Sequence, residues 1–299
     1  MVKKMDKIEI KVTKKIDGLT IKEYLKTMHV GRGKIEEIRV NKCAYLNNEQ
    51  VNLDTPMKVG DVLTFLLQEK IDVIPAKEQH LDILYEDDHI LIVNKPSGYL
   101  IHNDGNDDIP TLCSLVARYY YEHKIFRPVR YIHRLDVETT GIVLFAKDFL
   151  SEARLHADME RHLIKREYQG IVLNKFKSLE GTIDSSLGRD RHNSKKMRVS
   201  PKGQNAVTHY RVIKQINRSL SLVNFVLETG RTHQIRVHMS SINHPLLGDS
   251  LYGKTSELID RVALHSSKIT LFHPISGELI NISCLLPSDL CVIINKGGK

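Results

Sequence analysis

The segment Tyr131-Ile-His-Arg-Leu-Asp-Val-Glu-Thr-Thr-Gly141 puts a histidine, an arginine and an aspartate within four residues, just before the apolar run 141–146. A carboxylate beside core sequence is costly unless it is paired or has chemical work to do. Alone, Asp136 reads as a partner of Arg134 or as a turn cap. A second segment, Leu227-Glu-Thr-Gly-Arg-Thr-His-Gln-Ile-Arg-Val-His238, changes that balance. It reads as a strand end, then a Thr-Gly-Arg turn with Gly230 suited to a positive φ, then a helix carrying Arg236 and His238. Helix starts favour anions. This stretch therefore suits a phosphate, or a carboxylate such as Asp136. It suits zinc poorly, because His233 and His238 are five apart with no cysteine or carboxylate cluster beside them.

The elements that must position these groups are legible in outline. A short apolar strand, 90–93, is stopped by Asn94-Lys-Pro-Ser-Gly98, and 141–146 is a buried-type strand. Thr111 can cap a helix running to about residue 121, and a second amphipathic helix is predicted over 151–165. Strands are predicted over 168–173, 206–213 and 221–227, and a helix over 232–242 capped by Thr232. Helices fall irregularly between strands, which implies an α+β domain on a mixed, mainly antiparallel sheet flanked by helices and loops. Residues 1–70 form a small α/β unit of their own. It has helices over 21–28 and 34–40, a hairpin turn at Asn47-Asn48 and a strand over 62–67. The expected linker is 71–79, and the larger domain is 80–299.

The 299 residues carry a net charge of +8, which favours a polyanionic partner. The excess is concentrated. Residues 189–218 hold nine lysines and arginines, Lys195 and Lys196 among them, against the single acid Asp190. A solvated loop explains such a cluster about as well as a binding surface does. The four cysteines show no CxxC spacing, which suits a reducing compartment, and the cytoplasm is expected. Neither a signal peptide nor a membrane span is indicated. A monomer is the default.

The ordered motifs resemble a known family. His133-Arg-Leu-Asp-Val-Glu-Thr-Thr-Gly141 resembles the signature of RluA-type RNA pseudouridine synthases, with Thr140 where serine is usual. The 227–238 segment is similar to that family's second signature. Val93-Asn-Lys-Pro-Ser-Gly98 with His102, Arg166-Glu-Tyr168, and His244-Pro-Leu-Leu-Gly-Asp249 with Tyr252-Gly253 resemble its other elements, across roughly residues 80–285. Residues 16–70 more loosely resemble an S-four-type RNA-binding domain.

The resemblance implies a cofactor-free, metal-free isomerase that converts uridine to pseudouridine in structured RNA. Ribosomal RNA is the first expectation and transfer RNA the second. It implies Asp136 as the essential carboxylate and Arg236 as its partner, a pairing that favours the ionised form and fixes geometry. Tyr168 would lie against the uracil, and Arg134 would help hold a nucleotide swung out of the stack. His133, Arg231, His233 and Lys95 are candidate RNA contacts, though each has a structural reading of similar weight. Arg166 replaces a lysine and Asn174 a glycine at positions expected near the surface. The competing class is an RNA-binding module with a vestigial site. The intact set of Asp136, Tyr168 and Arg236 weighs against it.

Overall fold

Period-two alternation sets the first strand. In β1 (Asp6–Lys11) Ile8 and Ile10 are buried while Lys7, Glu9 and Lys11 face solvent. Thr20 and Glu23 then cap α1 (Ile21–Thr27) reciprocally, and α2 (Arg32–Val40) follows. The hairpin of β2 (Ala44–Leu46) and β3 (Glu49–Gln50) turns on Asn47 and Asn48, at φ 52° and 69°. Asparagine tolerates this left-handed backbone, which matches the twist of the paired strands. With β4 (Val62–Leu67) the strands form an antiparallel sheet in the order β1-β4-β2-β3. Ile21, Leu25 and Ile38 from the two helices cover Ile10, Leu63 and Phe65. The computed structural model describes residues 6–67, 70–71, 73–77, 80–103 and 111–296. The expected linker therefore lies partly outside the described residues. Within it, Val73 and Ala76 pack against the larger domain, and the Ala76 N–H donates to Ser114 O at 3.0 Å.

The larger domain is an α+β structure. In chain order it has β5 (Ile83–Glu86), β6 (Ile90–Lys95), α3 (Leu112–Glu122), β7 (Arg130–Tyr131), β8 (Thr140–Ala146), α4 (Phe149–Glu160) and β9 (Lys165–Leu173). Then come β10 (Glu180–Asp184), β11 (Leu187–Arg189), β12 (Met197–Val199), β13 (Val207–Gln215), β14 (Leu220–Leu227) and α5 (Gln234–Ser241). The chain closes with β15 (Leu264–Phe272), β16 (Leu279–Ser283) and α6 (Ser288–Lys296). Ten strands make one mixed sheet, ordered β10-β13-β14-β9-β15-β8-β6-β5, with β16 on β15 and β7 on β8. Among the described strands only β8 and β15 run parallel; the other pairs are antiparallel.

The central strands read as continuous apolar runs because both of their faces are covered. Val143 and Phe145 of β8 join Leu91 and Val93 of β6 under α3. Ile142 and Leu144 join Ile90, Ile92 and Leu155 of α4 on the other side.

Two helix boundaries differ from those expected. The helix predicted over 151–165 begins at Phe149, capped by Asp148, and stops at Glu160. His162, at φ 58°, then turns the chain, so Lys165 already belongs to β9. Helix α5 starts at Gln234 with left-handed His233 (φ 56°) at its cap position, in place of Thr232. Among the tyrosines at 119–121, Tyr120 is core, Tyr119 donates to Glu86 and Tyr121 is exposed.

Candidate active site

Asp136 stands in the loop between β7 and β8, and that loop is anchored on both sides. From β6, the Lys95 ammonium donates to Val137 O at 2.8 Å, and to Pro96 O and Tyr99 O at 2.9 Å. From beyond α5, Val262 N–H donates to the Glu138 carboxylate at 3.1 Å, and Arg261 reaches Glu138 O. The Thr139 N–H closes a turn on Asp136 O at 3.1 Å. The loop then enters β8 through Gly141 at φ 106°, where a Cβ would lie 2.2 Å from Ser266 O of β15. Glycine is required there by both the backbone angle and the close parallel pairing. The neighbouring threonine fits: buried Thr140 places Oγ1 2.9 Å from His265 Nδ1.

The Arg236 guanidinium, from the first turn of α5, meets Asp136. Arg236 Nη1 donates to Asp136 Oδ2 at 3.2 Å. Its other edge is committed elsewhere, because Nε and Nη2 donate to the two oxygens of fully buried Asp249 at 2.8 and 2.9 Å. Arg236 thus bridges two carboxylates. Burial works against its charge, but its hydrogen bonds to Asp249 and the two negative charges outweigh that and raise its pKa above the ordinary value. His233 Nε2 lies 3.8 Å from Asp136 Oδ2, and its Nδ1 is 2.8 Å from the Tyr252 hydroxyl. Burial, with Arg236 close by, pulls the His233 imidazole down against the attraction of Asp136. The Tyr252 ring lies under Arg236, 5.2 Å from the guanidinium carbon to the ring centre, and Lys196 Nζ lies 6.0 Å from that centre.

Gln234 ties the Thr-Gly-Arg turn to the start of α5. Its Oε1 accepts from Thr229 Oγ1 and Arg231 N, and its Nε2 donates to Val207 O and Thr208 Oγ1. Gly230 does not have the positive φ expected of it. It is needed for space, since a Cβ would lie 2.8 Å from Arg166 Nη1.

These groups line a cavity of about 630 Å³, inside the roughly 300–1,000 Å³ span of small-molecule sites. Its wall includes Arg134, Asp136, Tyr168, Arg231, His233 and Arg236. Tyr168, from β9, is 4% exposed, and burial raises its phenol pKa while Arg166 opposes the rise. Arg134 and Arg231 are exposed at the rim, and Arg231 Nε is anchored on Asn205 O at 3.0 Å. Lys196 reaches the site's margin through Tyr252. Lys195 is exposed on the β11–β12 connection.

Two candidate RNA contacts are placed otherwise. Lys95 is fully buried, and its three N–H groups are taken by the three loop carbonyls. His133 lines the cavity but is 5% exposed, accepts the Leu144 N–H on Nε2, and is pushed by burial to about 3, which leaves it neutral. Both brace the loop instead of meeting a phosphate. Arg166 is also corrected: it is buried at 7% exposure in the cavity wall, far from the surface position expected. Asn174 is exposed, and at φ 70° it takes the backbone that glycine usually supplies.

Among the described residues no three His, Cys, Asp or Glu side chains converge as a metal-ligand group, and no helix is long and apolar enough to cross a membrane. Asp249 and Tyr252 were not legible as site residues. Both lie in the quoted closing motif, yet only the tertiary fold brings them to Arg236.

Comparison with known proteins agrees with this arrangement. Residues 89–241 match the family model described as RNA pseudouridylate synthase, and residues 8–63 match the RluD ribosomal pseudouridine synthase N-terminal domain. The chain is 42% identical over 287 residues to the uncharacterised RNA pseudouridine synthase YhcT of Bacillus subtilis (strain 168), covering 95% of each. It is 36% identical over 228 residues to ribosomal large subunit pseudouridine synthase D of Escherichia coli (strain K12), covering 72% of this chain and 69% of that one. The solved structure of human RNA pseudouridylate synthase domain containing 4 superposes with a TM-score of 0.60 at 25% identity, over 73% of this chain and 92% of that one. The motifs, the fold and these matches lead to one family, and the chain belongs to it: it is an RNA pseudouridine synthase, an isomerase of uridine in RNA.

Proposed function

We propose that the protein isomerises specific uridines of structured ribosomal RNA, with Asp136 as the reacting carboxylate and no cofactor. The observation that carries this reading is the Asp136–Arg236 contact at 3.2 Å on the wall of a cavity that a nucleotide can enter. A paired uridine hides its ring inside the duplex, so the substrate must first swing out. Arg134 and Arg231 at the rim can receive its flanking phosphates, and Tyr168 can lie against its ring. Arg236, fixed by Asp249, holds one oxygen of Asp136 and leaves the other for the substrate. Reaction breaks the bond from ribose C1′ to uracil N1 and makes one from C1′ to C5; the C5 proton leaves to a base and the freed N1 takes one up, so no net proton is gained or lost. Nothing is oxidised or hydrolysed, so the chemistry can run on side chains alone.

The choice of ribosomal RNA is supported by the relatives named as large-subunit enzymes, and the choice of a reducing compartment by four unpaired cysteines. The test is pseudouridine formation on uridine-labelled ribosomal RNA by wild type and Asp136→Asn. Wild type should give product. The variant should give none above background while still binding RNA. Turnover by Asp136→Asn at the wild-type rate would sink the assignment. Product on transfer RNA but not on ribosomal RNA would move the substrate to the second class.

A further inference from the structure

Four arginines are buried among the described residues, and three of them have a carboxylate: Arg130 with Glu152, Arg236 with Asp249 and Arg261 with Asp289. Arg166 has none. It is 7% exposed, its Nε has no hydrogen-bond partner, and it makes no ion pair with a described carboxylate. Its guanidinium instead lies against the wall at Gly230, in space that any Cβ there would occupy. The Tyr168 hydroxyl is its one side-chain partner among the described residues and carries no charge, so Nε still lacks an acceptor. A buried cation without a counter-charge is costly, and a further acceptor from a bound group would lower that cost.

The position says which acceptor. Arg166 and Tyr168 are alternate residues of β9, so both side chains project to the same face, and both line the cavity. Its charge is felt at the Tyr168 phenol and at the neutral His133 ring. Exposed Arg134 and Arg231 mark the rim, whereas Arg166 and Tyr168 mark the depth. A swung-out nucleotide enters base first, and its hydrated phosphates stay at the rim. The group that can reach Arg166 is therefore a ring carbonyl oxygen.

We propose that Arg166 donates to a carbonyl oxygen of the flipped uracil and stabilises the ring while it is detached from ribose. This deepens the functional reading above and rests on it. When the C1′–N1 bond breaks, its electron pair stays with the ring and spreads to the two carbonyl oxygens. The ring then bonds to C1′ through C5, loses the C5 proton to a base and takes up a proton at N1, so the product is a neutral isomer. A fixed, dehydrated guanidinium beside one carbonyl favours the charged ring over the neutral bound base, so it assists the chemical step more than binding.

The test compares wild type, Arg166→Met and Arg166→Lys on a verified target RNA, measuring the single-turnover rate at saturating RNA and the dissociation constant across a salt series. Circular dichroism checks folding. Arg166→Met should lose about 100-fold or more in rate, the scale of removing an oxyanion donor. Its affinity and salt slope should stay near wild type, and Arg166→Lys should recover much of the rate. If instead Arg166→Met keeps its saturated rate but binds more weakly with a salt slope smaller by about one, the group is a phosphate contact and the proposal fails. A folded Arg166→Met with wild-type rate and affinity also overturns it. Wild type that makes no pseudouridine on any RNA would instead refute the functional reading itself.

Discussion

At the scale of single residues, the site depends on one guanidinium shared between two acids with different duties. Asp249 is fully buried, takes both Nε and Nη2 of Arg236, and accepts the N–H groups of Leu251 and Tyr252 on the same oxygen. Asp136 is partly open to the cavity and takes one N–H. Asp249 is thus a positioning residue: it fixes the plane of the fork so that Nη1 points at Asp136. Asp249→Asn keeps the shape but removes the charge that balances buried Arg236. Breaking a buried pair from one side costs about 3–5 kcal/mol. Urea unfolding should show a loss of that order, and the turnover rate should fall more than the affinity for RNA, because the carboxylate loses its orientation. Unchanged stability together with unchanged turnover would place the orienting role elsewhere.

At the scale of elements, what could be read from sequence was local chemistry. Thr111 caps α3, the Asn47-Asn48 turn closes its hairpin, and the apolar run of β8 lies at the centre of the sheet. Each depends on neighbours a few residues away. What could not be read depends on distant strands. Gly230 matters because β9 brings Arg166 against it, and Gly141 because β15 runs parallel to β8 at that point. Lys95 looks like a surface lysine until the Asp136 loop folds over it. Helix α4 starts at Phe149 and not at Ser151 because Asp148 accepts the Ser151 N–H at its cap, while distant His89 holds the same carboxylate at 2.8 Å.

The histidines under these elements give a pH prediction. Burial pushes His133 to about 3 and His265 to about 4, and pulls His233 and His238 the same way. Unfolded, a histidine takes up its proton near pH 6.5. Below that pH the unfolded chain therefore binds more protons than the folded one, and stability falls as pH drops from about 6.5 towards 4. Each such group contributes up to about 1.4 kcal/mol per pH unit in that window. Thermal midpoints should decline well above the carboxylate range, and His133→Gln should make the decline shallower. A flat profile between about pH 6.5 and 4.5 would show that these rings are accessible to protons in the folded state.

At the scale of the whole molecule, the two units share packing. Phe149 and Leu150, from the first turn of α4, belong to the core of the front unit, with the Phe65 and Phe149 rings edge to face at 5.6 Å. Arg127 holds Asp6 at 2.9 and 3.2 Å across the same junction. The front unit is thereby set in a fixed relation to the sheet that carries the cavity. At the other end, the basic β11–β12 hairpin packs beside α5, and Lys196 reaches the Tyr252 ring, whose face also carries Arg236. This places Lys196, and with it the β11–β12 hairpin, beside the site. RNA bound at the cavity should then lay its backbone along the hairpin. Every phosphate left without its lysine lowers the salt slope of binding by about one. Lys195→Gln with Lys196→Gln should weaken binding to all RNA sequences alike, reduce the slope by up to about two, and leave the single-turnover rate at saturating RNA near wild type. Titrations at several salt concentrations check this, and a slope that does not move would place the RNA path on another face of the sheet.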